Sequence, residues 1–181
     1  SYTDAIQAML AGLNRYSDPY AYFARGMGIV AIPITREGNA FIGTRINTLE
    51  YANHLSFVAG WLSFSSNPNE INVYHDLERE LYEEIFYNES LNLNNTILVG
   101  LSGHPFTAET DLVFLVKTNL SDVHFINGDW PEHKQWFPIG NKLEAKRLLF
   151  DGVARGSNSK FDVTFSTKMG LQFLANNWFQ S

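Results

Sequence analysis

No cysteine occurs among the 181 residues. That absence removes disulfide scaffolds, thiolate-bound zinc, iron–sulfur clusters and thiol nucleophiles together. Charge is also sparse: Asp, Glu, Lys and Arg make up 18% of the chain against 45% hydrophobic residues, a globular balance rather than a disordered one. Cations are the scarcer sign, 13 Lys and Arg against 19 Asp and Glu, for a formal net charge of −6. An extended nucleic-acid face is therefore not expected, because neutralising phosphates takes clustered cations. A small phosphorylated ligand remains compatible, since a divalent cation can supply positive charge locally. No window approaches the roughly 18 apolar residues of a membrane span. Residues 1–13 show an amphipathic pattern instead of a basic stretch followed by an apolar run, so no signal peptide is read there, and a cytoplasmic protein without a membrane partner is expected.

Length suggests one domain over residues 1–181, a core at 26–181 with a helical extension over 1–25. In that extension Ile6, Met9, Leu10 and Leu13 share a helical face behind the capping residues Thr3 or Asp4. Residues 27–35 read as a buried strand and 40–46 as its hairpin return across Arg36-Glu37-Gly38-Asn39. Pro33 in the first of these strands suggests an edge or a bulge. Further strands are expected over 96–101, 112–117 and 135–139, and helices over 73–86, 142–150 and 166–179. Strands and helices mix without strict alternation, which predicts a mixed sheet with helices packed on it.

The segment 73–86, VYHDLERELYEEIF, carries the chemistry. At about 100° per residue, Val73, Leu77, Leu81 and Ile85 form a core face. Asp76, Glu80 and Glu84 make a row at i, i+4, i+8 beside that face, with Glu83 next to the row. Glu84 falls inside the apolar arc itself. Like charges at this spacing repel by a few tenths of a kcal/mol, and the one cation in the segment, Arg79, points away from the row on the wheel. An acid at the core edge needs a partner, because a buried unpaired charge is costly. A solvated acidic face and a cation site are the two readings. For a cation site, oxygen donors without cysteine select Mg²⁺ or Mn²⁺.

Arg79-Glu80-Leu81-Tyr82-Glu83-Glu84 resembles the R-E-U-x-E-E centre of the Nudix box, in which U is a bulky aliphatic residue. The surrounding order is similar too: Gly43-Thr44-Arg45 closing a hairpin, Phe57-Val58-Ala59-Gly60 leading toward the box, and paired strands after it. The resemblance implies an α+β fold, an α/β/α sandwich with a mixed β-sheet between helices. It implies Mg²⁺ ligation by Glu80, Glu83 and Glu84, with Arg79 pairing inside the loop–helix unit. The activity it implies is hydrolysis of a nucleoside diphosphate linked to another moiety, such as a nucleotide sugar or a dinucleotide. Magnesium would neutralise phosphate charge and acidify the attacking water, and a nearby carboxylate would take its proton.

The box departs from the pattern in its loop half. Ile71 stands where the family has a glutamate, and Glu70 is one residue out of register. Phe86 replaces the closing glycine, Gly60 lies too far upstream, and Asp76 occupies a position that is usually small. Glu70 and Asp76 are accordingly candidate additional ligands. A Nudix-fold nucleotide-binding or regulatory module that has lost hydrolysis stays open as the alternative. Outside the box, Arg45 could touch a substrate phosphate or form a surface ion pair, and Glu109 or Asp111 could act as base or simply belong to a turn. The five histidines show no metal-ligand spacing and read as structural. Tyr20, Tyr22, Phe23, Trp130 and Trp136 could wall a base-stacking pocket, and the aromatic-rich ends could support a homodimer.

Overall fold

The computed structural model describes residues 27–46, 52–62, 72–85, 87, 95–103 and 110–178. The segment 1–25, with Tyr20, Tyr22 and Phe23, and the candidates Glu70 and Glu109 lie outside them.

Strand β1 (Met27–Ile34) is apolar on both faces and buried from Gly28 onward, which suits a central strand. It runs parallel to β6 (Thr110–Lys117) along its whole length, from Met27↔Thr110 to Ile34↔Lys117. On its other side, Gly28 to Ala31 pair antiparallel with β4 (Val58–Trp61). Strand β2 (Ala40–Arg45) meets β1 at Ile34↔Ala40, then leaves to pair with β3 (Leu55–Ser56) and β7 (His133–Ile139). Strand β5 (Thr96–Gly103) pairs antiparallel with β6 and completes the order β3-β2-β1-β6-β5. The expected hairpin thus has its turn, closed by Gly38 N–H to Thr35 O at 2.9 Å with Gly38 at φ 86°. Its strands diverge after one pair because β4 takes the place beside β1.

That divergence explains Pro33 and corrects the expectation of an edge or bulge. Thr118 N–H donates to Ile34 O at 2.8 Å, so Ile34 turns its polar groups to β6 and Pro33 turns its nitrogen the other way. There the β4 pairing has stopped at Ala31 and the β2 pairing begins at Ile34. A residue without an N–H fits a central strand where no ladder bond is required.

Helices α1 (Val73–Ile85) and α2 (Asp122–Asn127) cover one face, where Ile29, Ala31, Phe41, Val58 and Phe114 meet Leu77, Leu81, Ile85 and Phe125. Helices α3 (Lys142–Asp151) and α4 (Phe165–Asn176) cover the other, over Val30, Ile32, Ile42, Val113 and Leu115. The result is the α/β/α sandwich with a mixed sheet. Trp130 and Trp136 do not wall a pocket. They are 5% and 4% exposed, with ring centroids 6.0 and 5.2 Å from Phe125 in the α1-side core. Among the described residues no helix is long and apolar enough to cross a membrane.

Candidate active site

Asn72 starts α1 by accepting the His75 N–H on its side-chain oxygen at 3.2 Å. Leu77, Leu81 and Ile85 then anchor the helix on β1 and β4 with no exposed surface. Burying that row carries the neighbouring one with it. Asp76, Glu80 and Glu84 are 2%, 8% and 2% exposed, whereas the side chain of Glu83 remains 54% exposed.

Glu84 is the deepest acid. Its Oε1 accepts the Ala59 N–H of β4 at 2.9 Å. Its Oε2 is buried with no hydrogen-bond partner and lies 3.5 Å from Nδ1 of His133. Burial pushes this carboxyl well above its ordinary range, against the stabilising Ala59 amide, and Glu132 and Glu80 push it the same way. Glu80 lies over Gly60, where any Cβ would fall on its carboxylate. Burial raises Glu80 as well, opposed by the Arg79 guanidinium. Gly60, a misplaced box glycine by sequence, is in this fold the opening that admits Glu80 against β4.

Arg79 does not point away from the acids. Its guanidinium folds back to Glu80 Oε1 at 2.6 Å, Glu83 Oε2 at 3.3 Å and the Trp61 carbonyl at 3.1 Å, with Asp76 Oδ1 3.7 Å from Nε. The helical wheel fixes the direction of Cβ, and a long flexible side chain reaches past it. Arg79 therefore ties the acidic helix to the end of β4.

Two further residues complete the site: His133, which the sequence reads as structural, and Glu132, which it does not single out. His133 opens β7 and is buried, 3.2 Å from Ser56 Oγ through Nε2 and 3.5 Å from Glu84 through Nδ1. Burial and the nearby Arg45 lower its pKa from 6.5 to about 3, so the ring is neutral at ordinary pH. Glu132 faces the same region and holds Arg45, Nη2 to Oε2 at 3.4 Å, while Arg45 Nε is buried without a partner. No local signal marks His133 or Glu132. They reach the site through the β2–β7 pairing, 87 or more residues after Arg45 and Gly43.

Asp111 pairs with Gly28 and shares the sheet face of Val113 and Leu115, opposite α1. The sheet thus separates it from the helix acids. Asp76, Glu80, Glu83, Glu84 and Glu132 gather around Arg79 and Arg45, an excess of carboxylates over guanidinium groups. No three Asp, Glu or His side chains already converge as a cation site among the described residues. The donors nonetheless suit a hard divalent cation. They are carboxylate oxygens, and one of them, Glu84 Oε2, is buried with no hydrogen-bond partner.

No protein-family description and no curated protein matches the sequence. Solved structures do share its architecture. A MutT protein from Methanosarcina mazei Go1 superposes with a TM-score of 0.52 at 13% identity, covering 84% of this chain and 96% of that one. The NUDIX domain of Shewanella oneidensis NrtR, complexed with ADP ribose, gives 0.51 at 11% identity over 90% of this chain and 94% of that one. A MutT/nudix family protein from Enterococcus faecalis gives 0.53 at 9% identity over 93% and 67%. Sequence identity this low speaks for architecture alone, and the architecture of this chain is the Nudix fold.

Proposed function

We propose that the protein is a Mg²⁺-dependent hydrolase of a nucleoside diphosphate linked to another moiety, of the nucleotide-sugar or dinucleotide type. The observation that carries this reading is Glu84: a carboxylate sunk to 2% exposure, with one oxygen unpartnered, beside a second buried carboxylate on the same helix. A fold does not maintain such a group for stability. Glu80, Glu83 and Glu84 would hold the cation, Mg²⁺ or Mn²⁺, with Asp76 behind them and Glu70 a further candidate. When bound, the cation would neutralise pyrophosphate charge and lower the pKa of the attacking water.

The chain's own residues have distinct tasks in this scheme. The Ala59 amide and the β4 backbone fix Glu84. Arg79 keeps Glu80 and Glu83 near each other until a cation competes for them. Arg45, whose side chain keeps 20% of its surface exposed, offers its guanidinium to a phosphate oxygen. With Asp111 behind the sheet, Glu109 is the first candidate in that loop for the water's proton. The Arg79 clamp also favours a second reading, a ligand-binding module in which an internal cation has replaced the metal. The NUDIX domain of Shewanella oneidensis NrtR, a structural neighbour, is complexed with ADP ribose, which supports including such a ligand.

A panel of nucleotide sugars, dinucleotides and ADP-ribose-type compounds, incubated with Mg²⁺, decides between the two. Turnover of any one, lost in Glu84→Gln while the circular dichroism spectrum is unchanged, supports the hydrolase. Micromolar binding without products supports the module. Turnover undiminished in Glu84→Gln refutes the site.

A further inference from the structure

The ring of His133 is held more tightly than packing alone requires. A Cβ on Gly43 would strike the ring, and Trp136 lies against it with centroids 4.4 Å apart at 38°. Strand alternation by itself would not bring it there. Gly43 pairs with Trp136 and Thr44 with Gln135, but Arg45 pairs with His133, so the register skips Lys134. In an unbroken strand, residues 133 and 136 would face opposite sides of the sheet. The bulge returns His133 to the side of Trp136 and α1. Ser56, paired with Gly43 across β2, faces the same side.

With Glu84 ionised, as a cation ligand must be, the polar atoms of this cluster have one assignment that satisfies all of them. Nδ1 of His133 and Oε2 of Glu84 are both buried, both without another hydrogen-bond partner, and 3.5 Å apart. They suit each other when Nδ1 carries the hydrogen, which requires Nε2 to accept. Ser56 Oγ, 3.2 Å from Nε2, is the hydroxyl that can donate to it. In the opposite tautomer a nitrogen lone pair would face the carboxylate oxygen. Resting on the hydrolase reading of the site, we propose that His133 is a positioning residue for Glu84: Ser56 sets its tautomer, and its Nδ1–H fixes the orientation in which the Glu84 carboxylate meets a divalent cation. Together the Ala59 N–H on Oε1 and the His133 N–H on Oε2 hold the carboxylate plane from both ends, and each oxygen retains a lone pair for a ligand. Partners of this kind, one shell out from a metal, typically change its affinity 10- to 100-fold when removed.

Mn²⁺ titration followed by electron paramagnetic resonance tests this in full-length protein. His133→Phe keeps a ring above Gly43 and removes the donor, and Mn²⁺ affinity should fall by roughly 10- to 100-fold. His133→Asn restores an N–H near the Nδ1 position and should recover most of that loss. In ¹⁵N-histidine spectra with Mg²⁺ present, the resonances absent from the His133→Asn spectrum should show a protonated Nδ1, and Ser56→Ala should shift that tautomer. Unchanged Mn²⁺ affinity in His133→Phe, or a wild-type ring protonated on Nε2, overturns the proposal. Should the wild type bind no Mn²⁺ at all, the hydrolase reading and the metal-positioning role fall together. The ¹⁵N spectrum of the same sample then shows separately whether the Ser56–His133–Glu84 bonding itself exists.

Discussion

Glu84→Gln should stabilise the metal-free protein at pH 8 while abolishing turnover, and the structure sets the size of the gain. The wild type keeps a carboxyl inside the protein where burial opposes its ionisation, and the Ala59 N–H offsets only part of that cost. Glutamine keeps the volume and an oxygen to accept the Ala59 N–H. Its NH₂ can donate to Nδ1 of His133 once that ring and Ser56 exchange donor and acceptor roles. Desolvating a buried polar group costs about 1–3 kcal/mol. For a domain of this size each kcal/mol moves the melting temperature by about 2–4 °C. A rise of roughly 2–12 °C is therefore expected by differential scanning fluorimetry.

The pH dependence gives the prediction a sign as well as a size. Glu84 titrates higher in the folded protein than in the unfolded chain, so below the unfolded value the carboxyl is protonated in both states and carries no penalty. The penalty grows as pH rises above the unfolded value and levels off beyond the folded one. The advantage of Glu84→Gln over wild type should accordingly be smallest in acid and grow with rising pH. Mg²⁺ at millimolar concentration should raise the melting temperature of the wild type and leave the variant unchanged, because a ligand that binds only the folded form stabilises it. A variant less stable than wild type at pH 8, or a gain independent of pH, would refute the reasoning that burial opposes the ionisation of Glu84.

Four further outcomes follow from particular contacts. Gly60→Ala places a methyl group on the Glu80 carboxylate, so urea unfolding should show a loss of about 1–3 kcal/mol and Mn²⁺ affinity should fall with it. Leu81→Ala, at a position with no exposed surface in the α1-side core, should cost about 2–5 kcal/mol in the same assay. His133 has a folded pKa of about 3 against 6.5, with Glu84 and Arg45 facing it. Its contribution is fully present above pH 6.5 and lost as pH falls toward 3, to a limit on the order of 5 kcal/mol. Glu84, titrating in the opposite sense, offsets part of that loss, and His133→Asn should flatten the acid limb of the stability curve. Gly152, at φ 66° with the Phe161 carbonyl where a Cβ would lie, ends α3, and Gly152→Ala should cost more than about 1 kcal/mol by thermal melting.

The legible parts of the fold were those encoded locally. The apolar run of β1 and the 3.6-residue period of α1 lie within single segments, and both elements end within a residue or so of the expected positions. The burial of Glu84 was readable for the same reason, since the wheel places it among the aliphatic residues of its own helix. Helix α2 was not readable: Phe125 is its one buried residue, while Val123 and Ile126 stand in solvent, so no stripe marks it. The grip of Arg79 on the acids was lost because periodicity describes Cβ directions and not the reach of a guanidinium. His133 was lost because its facing depends on one skipped residue in a strand pairing that the sequence does not announce.

The placement of two glycines ties the site to the fold. Glu80 can approach β4 because residue 60 has no side chain, and the His133 ring can lie on β2 because residue 43 has none. Both positions face α1, as the pairings Gly60↔Ile29 and Gly43↔Trp136 require. Leu77, Leu81 and Ile85 press the helix onto the sheet, and the acids beside them have nowhere to go but inward. Without these openings the same hydrophobic contacts would force Glu80 outward or lift the helix, and the carboxylate pair would separate. The acidic row is therefore held in place by apolar burial on one side and by missing side chains on the other. A methyl group at either position costs stability by its clash alone, so a loss of cation affinity in Gly60→Ala and Gly43→Ala greater than the loss in folding is what a working site requires.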